Sequence, residues 1–512
     1  MPKWLDSAVF YEIYPQSFRD SNGDGIGDLN GIIEKLDYIK GLGFNAIWLN
    51  PCFQSPFNDA GYDVEDFYRV AARYGTNTDM ENLFSQAHKR GMHVLLDLVP
   101  GHTSWMHEWF QKSCKAGKNE YTDRYVWTDS VWNCPPGFSY LRGISERDGS
   151  VVVNFFTHQP ALNYGFYDPD PAQPWQQPMD APGPMQMRGE LKNIMQHWLA
   201  MGCDGFRVDL AATLVKNDPD EKGVISLWQD VRAYLDSNFP EAALVSEWGI
   251  ADHSLAAGFH MDFLLHFGPS HYNDLFRCEH PYFRADGMGS AKAFVERYLE
   301  CYEKTAGRGL ICLPSGNHDM YRLRSYLNDR QMRLAFAMIL SFAGAPFVYY
   351  GDEIGMRHLE KLPSKEGGYH RTGARTPMQW DNTQLNCGFS GGDEADLYLP
   401  IDPDGGRPDV AGGLRDENSL LNEVRKLLSL RASHPALQNT ARIRFLAYES
   451  FPLAYLREND EERILVVINP GSACASFPFD GSGAVLYQIG GSVELKNGIC
   501  TVDGETAVFV NL

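Results

Sequence analysis

The chain has 512 residues, 44% of them apolar and 22% charged, an ordinary globular composition that excludes disorder, collagen and low-complexity fibre. Lys and Arg number 45 against 66 Asp and Glu, a formal charge of −21 that repels phosphate backbones and anionic lipid, so nucleic acid and membrane surfaces are excluded as expected partners. Ten cysteines show no CxxC pair and no zinc spacing and read as free thiols. Met1–Ser7 has no signal-peptide pattern and no 18-residue apolar run follows, so a cytoplasmic location is expected.

Short β-rich runs alternate with amphipathic helical segments. Strands are expected at Val9–Phe18, Phe44–Pro51, His93–Val99, Gly205–Ala211, Ala242–Trp248, Met261–Phe267, Gly309–Pro314 and Ala345–Tyr350. Several are continuous apolar runs, as strands buried on both faces of a parallel sheet require. Helices are expected at Leu29–Leu42, Asp79–Arg90, Gln186–Met201, Ile225–Asn238, Ala291–Lys304, Arg330–Ala343 and Asn418–Ser433. Eight strand–helix units point to an α/β fold closed as a (β/α)8 TIM barrel; a doubly wound open sheet competes, but no GxGxxG turn follows the first strand. Two stretches break the alternation. Residues 101–184, rich in Trp, Pro, Gly and Asn, are too long for a loop and are expected to form an inserted subdomain B after strand three. Residues 440–512 carry four short alternating runs with turn signals, Leu453–Leu456, Arg463–Ile468, Ala484–Ile489 and Ala507–Val510, the pattern of a C-terminal β-sandwich domain, leaving 1–100 and 185–439 to the barrel.

In such a barrel, function collects where the strands end. Strand three ends Asp97-Leu98-Val99-Pro100-Gly101-His102, strand four runs Gly205-Phe206-Arg207-Val208-Asp209, strand five ends Ser246-Glu247-Trp248 and strand seven ends Gly316-Asn317-His318-Asp319. A single Asp at a strand end is ordinarily a helix cap, and Arg207 with Asp209, sharing one strand face, could be a simple ion pair. Their joint convergence on one low-dielectric rim is costly without a task. Glycosidic bond cleavage is a task that fits: one carboxylate attacks an anomeric carbon and a second, protonated, gives its proton to the leaving oxygen. On this reading Arg207 keeps Asp209 ionised, and apolar Val245 and Trp248 raise the pKa of Glu247. Asp319, with His318, binds sugar hydroxyls.

Those four segments, in that order, resemble the α-amylase superfamily (glycoside hydrolase family thirteen) over nearly the whole chain. The resemblance implies a retaining mechanism with Asp209 as nucleophile, Glu247 as acid/base and Asp319 as transition-state stabiliser. It also implies that Tyr62, Asp63, His102, Arg207 and His318 line the subsite for the glucosyl unit under attack. Gln159-Pro160-Ala161-Leu162-Asn163, Arg375-Thr376-Pro377-Met378-Gln379-Trp380 and Tyr350-Gly351-Asp352-Glu353 are similar to motifs of the oligo-1,6-glucosidase and α-glucosidase branch, with Ala161 where Asp is usual. By that analogy Arg375 either meets Asp63 to close the far end of a dead-end pocket or buttresses its own loop. Gly101 stands where the family has Asn, so the familiar interdomain calcium site lacks a ligand, and Ala212 and Thr213 replace the Lys and His of endo-acting amylases.

Asp20-Ser21-Asn22-Gly23-Asp24-Gly25-Ile26-Gly27-Asp28 alternates oxygen ligands with glycines. It resembles half an EF-hand loop and the calcium loop of the oligo-1,6-glucosidase branch. The expected ligands of a structural Ca2+ are Asp20, Asn22, Asp24, Asp28 and the Ile26 carbonyl; a metal-free acidic turn is the alternative. No organic cofactor is expected. The expected activity is hydrolysis of α-glucosidic bonds, mainly α-1,4, in malto-oligosaccharides. Endo-amylase, oligo-1,6-glucosidase and trehalose-synthase-like transfer are the enzymatic alternatives, and a sugar-binding scaffold is the non-enzymatic one.

Overall fold

A computed structural model describes residues 1–305 and 307–512. Eight parallel strands form its centre: β1 Phe10–Ile13, β2 Ala46–Leu49, β3 His93–Leu98, β4 Gly205–Val208, β5 Ala243–Ser246, β6 Met261–Phe263, β7 Leu310–Cys312 and β8 Phe347–Tyr349. They neighbour one another in sequence order, and β8 returns to pair with β1, Phe10 opposite Phe347. A single parallel bridge, Pro314 to Phe347, closes the ring between β7 and β8. The barrel is therefore the expected one, although each strand is shorter than its apolar run because the ends turn into loops.

Almost every strand residue is buried. Phe10 stacks on Phe347 with centroids 4.2 Å apart, Phe263 meets Phe347 at 4.7 Å and Trp48 meets Phe263 at 5.6 Å. Since β2 and β6 lie across the ring from each other, these four rings fill its interior as a packed plug. Burying each such ring contributes roughly 1.5–3 kcal/mol.

Around the strands run α1 Leu29–Leu42, α2 Asn77–Lys89, α3 Pro182–Met201, α4 Lys222–Asn238, α5 Lys292–Thr305, α6 Asp329–Ser341 and α7 Leu420–Ser433, with a short helix Ala251–Ala256 behind β5. Their starts are chemically marked. Asp28 caps α1 through Gly31 N, and capping boxes Thr76/Asp79 and Asn328/Gln331 open α2 and α6. Helix α3 begins four residues earlier than its apolar period indicates, because Pro182 at its first position is pre-set for the helix. Between β3 and α3 the chain makes the expected insertion, with a short helix Glu108–Ser113 and a ribbon pairing Ser139–Arg142 with Ser150–Val153.

The C-terminal region has eight strands, four more than the sequence pattern shows: β9 Arg442–Ala447, β10 Leu453–Glu458, β11 Arg463–Asn469, β12 Ala475–Pro478, β13 Ala484–Ile489, β14 Val493–Lys496, β15 Ile499–Val502 and β16 Thr506–Asn511. The unforeseen β9, β12, β14 and β15 are partly exposed and mix polar with apolar side chains. Sheet β9-β10-β11-β16-β13 lies against sheet β12-β15-β14, an all-β sandwich. Along β11, Leu465 and Val467 face Phe477, Cys500 and Val502 of the small sheet, while Ile464, Val466 and Ile468 join the barrel's core. That double burial explains why β11 reads as an unbroken apolar run.

Buried Arg457 of β10 reaches from the sandwich to the barrel, and buried Arg431 of α7 lies beside the same helix end; neither has a carboxylate partner among the described residues. Arg431 donates to the carbonyls of Leu340, Phe342 and Gly344, and Arg457 to those of Ser341 and Gln438, satisfying the C-terminal end of α6.

Candidate active site

Where the strands end, a cavity of about 540 Å³ opens. Asp59, Tyr62, His102, Asp209, Glu247, Asp319 and Arg371 line its inner part; Phe155, Phe156, Leu210, His266, Phe267, Tyr369 and His370 also border it. Phe155 and Tyr369 are more than half exposed.

Register places the acids. Asp97 pairs with Arg207 across β3 and β4, and Arg207 with Val245 across β4 and β5, so one guanidinium sits beneath three strand ends. Its Nη1 donates to Asp97 Oδ1 at 2.9 Å and to Asp209 Oδ1 at 3.0 Å, while Nη2 lies 2.9 Å from Glu247 Oε1. One cation thus serves three buried carboxyl groups. The expectation that Arg207 simply keeps Asp209 ionised does not hold: burial and the Glu247 carboxylate push Asp209 well above the usual carboxylate range, and the shared guanidinium opposes this only in part. Burial likewise lifts Asp97, against Arg207, to about 6. Nor is Glu247 in the apolar setting expected of it. Its Oε1 meets Arg207 and its Oε2 accepts Leu210 N at 3.1 Å, while the Trp248 indole turns away to Glu221. Leu210 holds a left-handed φ of 43°, a strained conformation for a leucine, which aims that amide at Glu247.

Asp319 is the opposite case. Burial alone would raise it, but the guanidinium groups of Arg371, Arg375 and Arg207 hold it far below the usual range. Its Oδ1 accepts from Arg371 Nη1 at 2.7 Å and Arg375 Nη2 at 2.9 Å. His318 lies beneath, Nε2 2.7 Å from Tyr62 Oη, and burial keeps it neutral. His102 Nε2 donates to the Tyr62 carbonyl at 3.1 Å, and burial lowers its pKa to about 3.

Asp63 and Arg375 are not brought together. The Asp63 carboxylate turns back into its own loop, accepting from Asn58 N, Asp59 N and Ser55 Oγ, and Arg375 runs under the site to the His318 carbonyl and Asp319. The residues facing the cavity lie one turn earlier in each case: Asp59 and Arg371, with Arg371 Nη2 3.8 Å from Asp59 Oδ1. Gln159 Nε2, opening the Gln-Pro-Ala-Leu-Asn run, braces Asp59 Oδ2 at 2.7 Å. Both residues were missed because irregular loops carry no period that shows which side chain faces inward.

In the acidic N-terminal loop the carboxylates are engaged by the loop itself. Asp20 Oδ1 accepts from Asn22 N and Gly23 N, Asp20 Oδ2 from Gly25 N and Ser390 Oγ, and Asp28 caps α1. Among the described residues no three Asp, Glu, His or Cys side chains converge as a metal-holding group. All ten cysteines are unpaired, and no helix among the described residues is long and apolar enough to cross a membrane.

A family model described as alpha amylase, catalytic domain, matches residues 12–440. The oligo-1,6-glucosidase of Heyndrickxia coagulans is 31% identical over 93% of this chain and 94% of its own length. The trehalose synthase/amylase TreS of Mycolicibacterium smegmatis is 31% identical over 89% of this chain and 80% of its own. Among solved structures, trehalulose synthase MutB from Pseudomonas mesoacidophila MX-45 superposes with a TM-score of 0.83 at 25% identity, covering both chains completely. With the barrel, the sandwich and the acidic strand ends already in view, these matches make the chain a member of the alpha-amylase family of glycosyl hydrolases.

Proposed function

We propose that the chain is a retaining enzyme that cleaves α-glucosidic bonds, mainly α-1,4, in short malto-oligosaccharides. Asp209 is the nucleophile, Glu247 the acid/base and Asp319 the group that binds the ring as it distorts. The observation that supports this best is the Asp209–Arg207–Glu247 arrangement. Two carboxyl groups from neighbouring strand ends meet one shared guanidinium under the cavity, the arrangement in which one attacks the anomeric carbon and the other serves the leaving oxygen. Asp319, held ionised by two arginines, remains an acceptor for hydroxyls throughout. Tyr62 and His102 give the glucosyl unit its walls, with Arg207 and His318 below them. Asp59 and Arg371 end the pocket there, which favours a non-reducing terminal glucose over an open starch chain.

Glucosyl transfer is the second reading. Phe155, Phe267 and Tyr369, exposed beside the cavity, offer faces on which an acceptor sugar can stack in place of water. A time course on maltose, maltotriose, panose and soluble starch separates the readings. Glucose from the small substrates with starch untouched supports the closed hydrolase, trehalose from maltose supports transfer, and maltose released from starch overturns the closed pocket.

For the N-terminal loop, the donor set is five oxygens, three of them carboxylates, which suits a hard cation. Asp20, Asn22, Asp24, Asp28 and the Ile26 carbonyl would hold structural Ca2+, tying β1 to α1 away from the chemistry. Melting in EGTA and in Ca2+ tests this; identical melting temperatures would refute it. The unpaired thiols fit a reducing compartment, consistent with the cytoplasm. On this reading the catalytic barrel comprises residues 1–100 and 185–439, subdomain B residues 101–184 and the sandwich residues 440–512.

A further inference from the structure

Beneath the cavity floor lies a carboxyl group that the chemistry above leaves unused. Glu12, on β1, is fully buried, and its Oε1 is 3.0 Å from His318 Nδ1. Asn50 Nδ2 lies 3.2 Å from both Glu12 Oε1 and His318 Nδ1, while Glu12 Oε2 and Asn50 Oδ1 have no hydrogen-bond partner among the described residues. On the far side of the ring, His318 Nε2 is 2.7 Å from Tyr62 Oη, which in turn is 3.1 Å from Asp97 Oδ2. Four side chains from separate segments thus form one row under the site.

We propose that Glu12 is a positioning residue: as a neutral acid it donates its proton to His318 Nδ1, which fixes His318 as the Nε2–H tautomer and sets the direction of the whole row. The inference rests on the reading of this cavity as a glucosyl site. With Nδ1 accepting, Nε2–H donates to Tyr62 Oη, and the Tyr62 hydroxyl donates onward to Asp97, already the acceptor of Arg207 Nη1 and Trp48 Nε1. Asn50 Nδ2 donates to Glu12 Oε1 and, 3.2 Å from Nδ1, turns a donor and not an acceptor towards that nitrogen.

The electrostatics agree. An ionised Glu12 would be fully buried and would face the Asp97 carboxyl group and Tyr349, with Arg207 already shared three ways. Burial favours the neutral form. The catalytic reason is the stronger one. A glucosyl carbon gaining positive charge above the floor is destabilised by an imidazolium beneath it and not by an imidazole. A neutral donor at Glu12 satisfies Nδ1 without charging the ring.

The test uses two variants and a spectrum. If Glu12 donates as a neutral acid, Glu12→Gln, whose amide also donates, keeps kcat/KM for maltose within about threefold. Glu12→Leu, which cannot donate, lowers kcat at least tenfold with KM little changed. Histidine 15N spectra of the resting wild-type protein should show His318 neutral and protonated on Nε2 from pH 5 to 8. Loss of activity in Glu12→Gln equal to that in Glu12→Leu, full activity in Glu12→Leu, or an imidazolium His318 at neutral pH each overturns the proposal. If Glu12→Leu does not fold, the Gln variant and the wild-type spectrum still decide. The spectrum needs no substrate, so a wrong assignment of the reaction and a wrong assignment of Glu12 give separate signals.

Discussion

Arg371 Nη1 stands 2.7 Å from the Asp319 carboxylate while its Nη2 approaches Asp59 to 3.8 Å, so one guanidinium spans both acids on the cavity wall. Truncating one partner of a buried charge pair costs about 2–5 kcal/mol. Arg371→Ala should therefore lower kcat/KM on maltose by about a hundredfold, and Arg371→Lys should recover only part of it, because an ammonium is not a fork. Steady-state kinetics on maltose and maltotriose check this.

Asp209→Asn should remove turnover of a nitrophenyl α-glucoside by about four orders of magnitude or more. The same change should leave the melting temperature equal or higher. Asp209 is a buried carboxyl crowded by Glu247, and a neutral isostere relieves that repulsion. Calorimetry beside the activity assay tests both halves; a large drop in melting temperature would show that the Arg207–Asp209 contact outweighs the repulsion.

Asp262, fully buried on β6, accepts from Ser246 Oγ at 2.7 Å and Trp248 N at 3.2 Å, the residues on either side of Glu247. Burial raises its pKa to about 7. Below pH 4 the folded and unfolded chains both carry this proton. Between pH 4 and 7 the unfolded chain releases it first, so this group's contribution falls as pH rises, by roughly 4 kcal/mol in all. Asp262→Asn should flatten the decline of stability between pH 4 and 7 relative to wild type, as followed by urea unfolding.

Arg457→Met should lower the melting temperature without altering KM. It strips donors from the Ser341 and Gln438 carbonyls where α6 meets the sandwich, and each buried acceptor left unpaired costs about 1–3 kcal/mol. A changed KM would mean that the sandwich reaches the active site.

How much of this could be read from the chain depended on the element. The barrel strands announce themselves because both faces are buried, and their terminal acids follow from register once the barrel is granted. The loop residues do not. Asp63 and Asp59 lie one tight turn apart, Tyr62 N bonding to the Asp59 carbonyl, and only the folded turn shows that Asp59 faces the cavity while Asp63 ties the turn together. Arg371 lies within a short helical turn, Tyr369–Ala374, and Arg375 follows it, which sends the first to the cavity wall and the second beneath it. The charge state of Asp209 was illegible for another reason: it depends on how many acids share Arg207, a property of three strands together.

The join between β7 and β8 has its own consequence. Neighbouring strands elsewhere in the ring share two to four register pairs, but here, among the described residues, only the Pro314–Phe347 bridge spans the gap. Asp319 follows β7 and both Arg371 and Arg375 follow β8, so ion pairs lace together what backbone hydrogen bonds hold only at one rung. The staves of this cask are thus most easily parted at the wall that grips the sugar. Added salt should quicken amide exchange around residues 315–319 before it does so anywhere else in the barrel, and a bound glucosyl ring bridging the same charges should slow it.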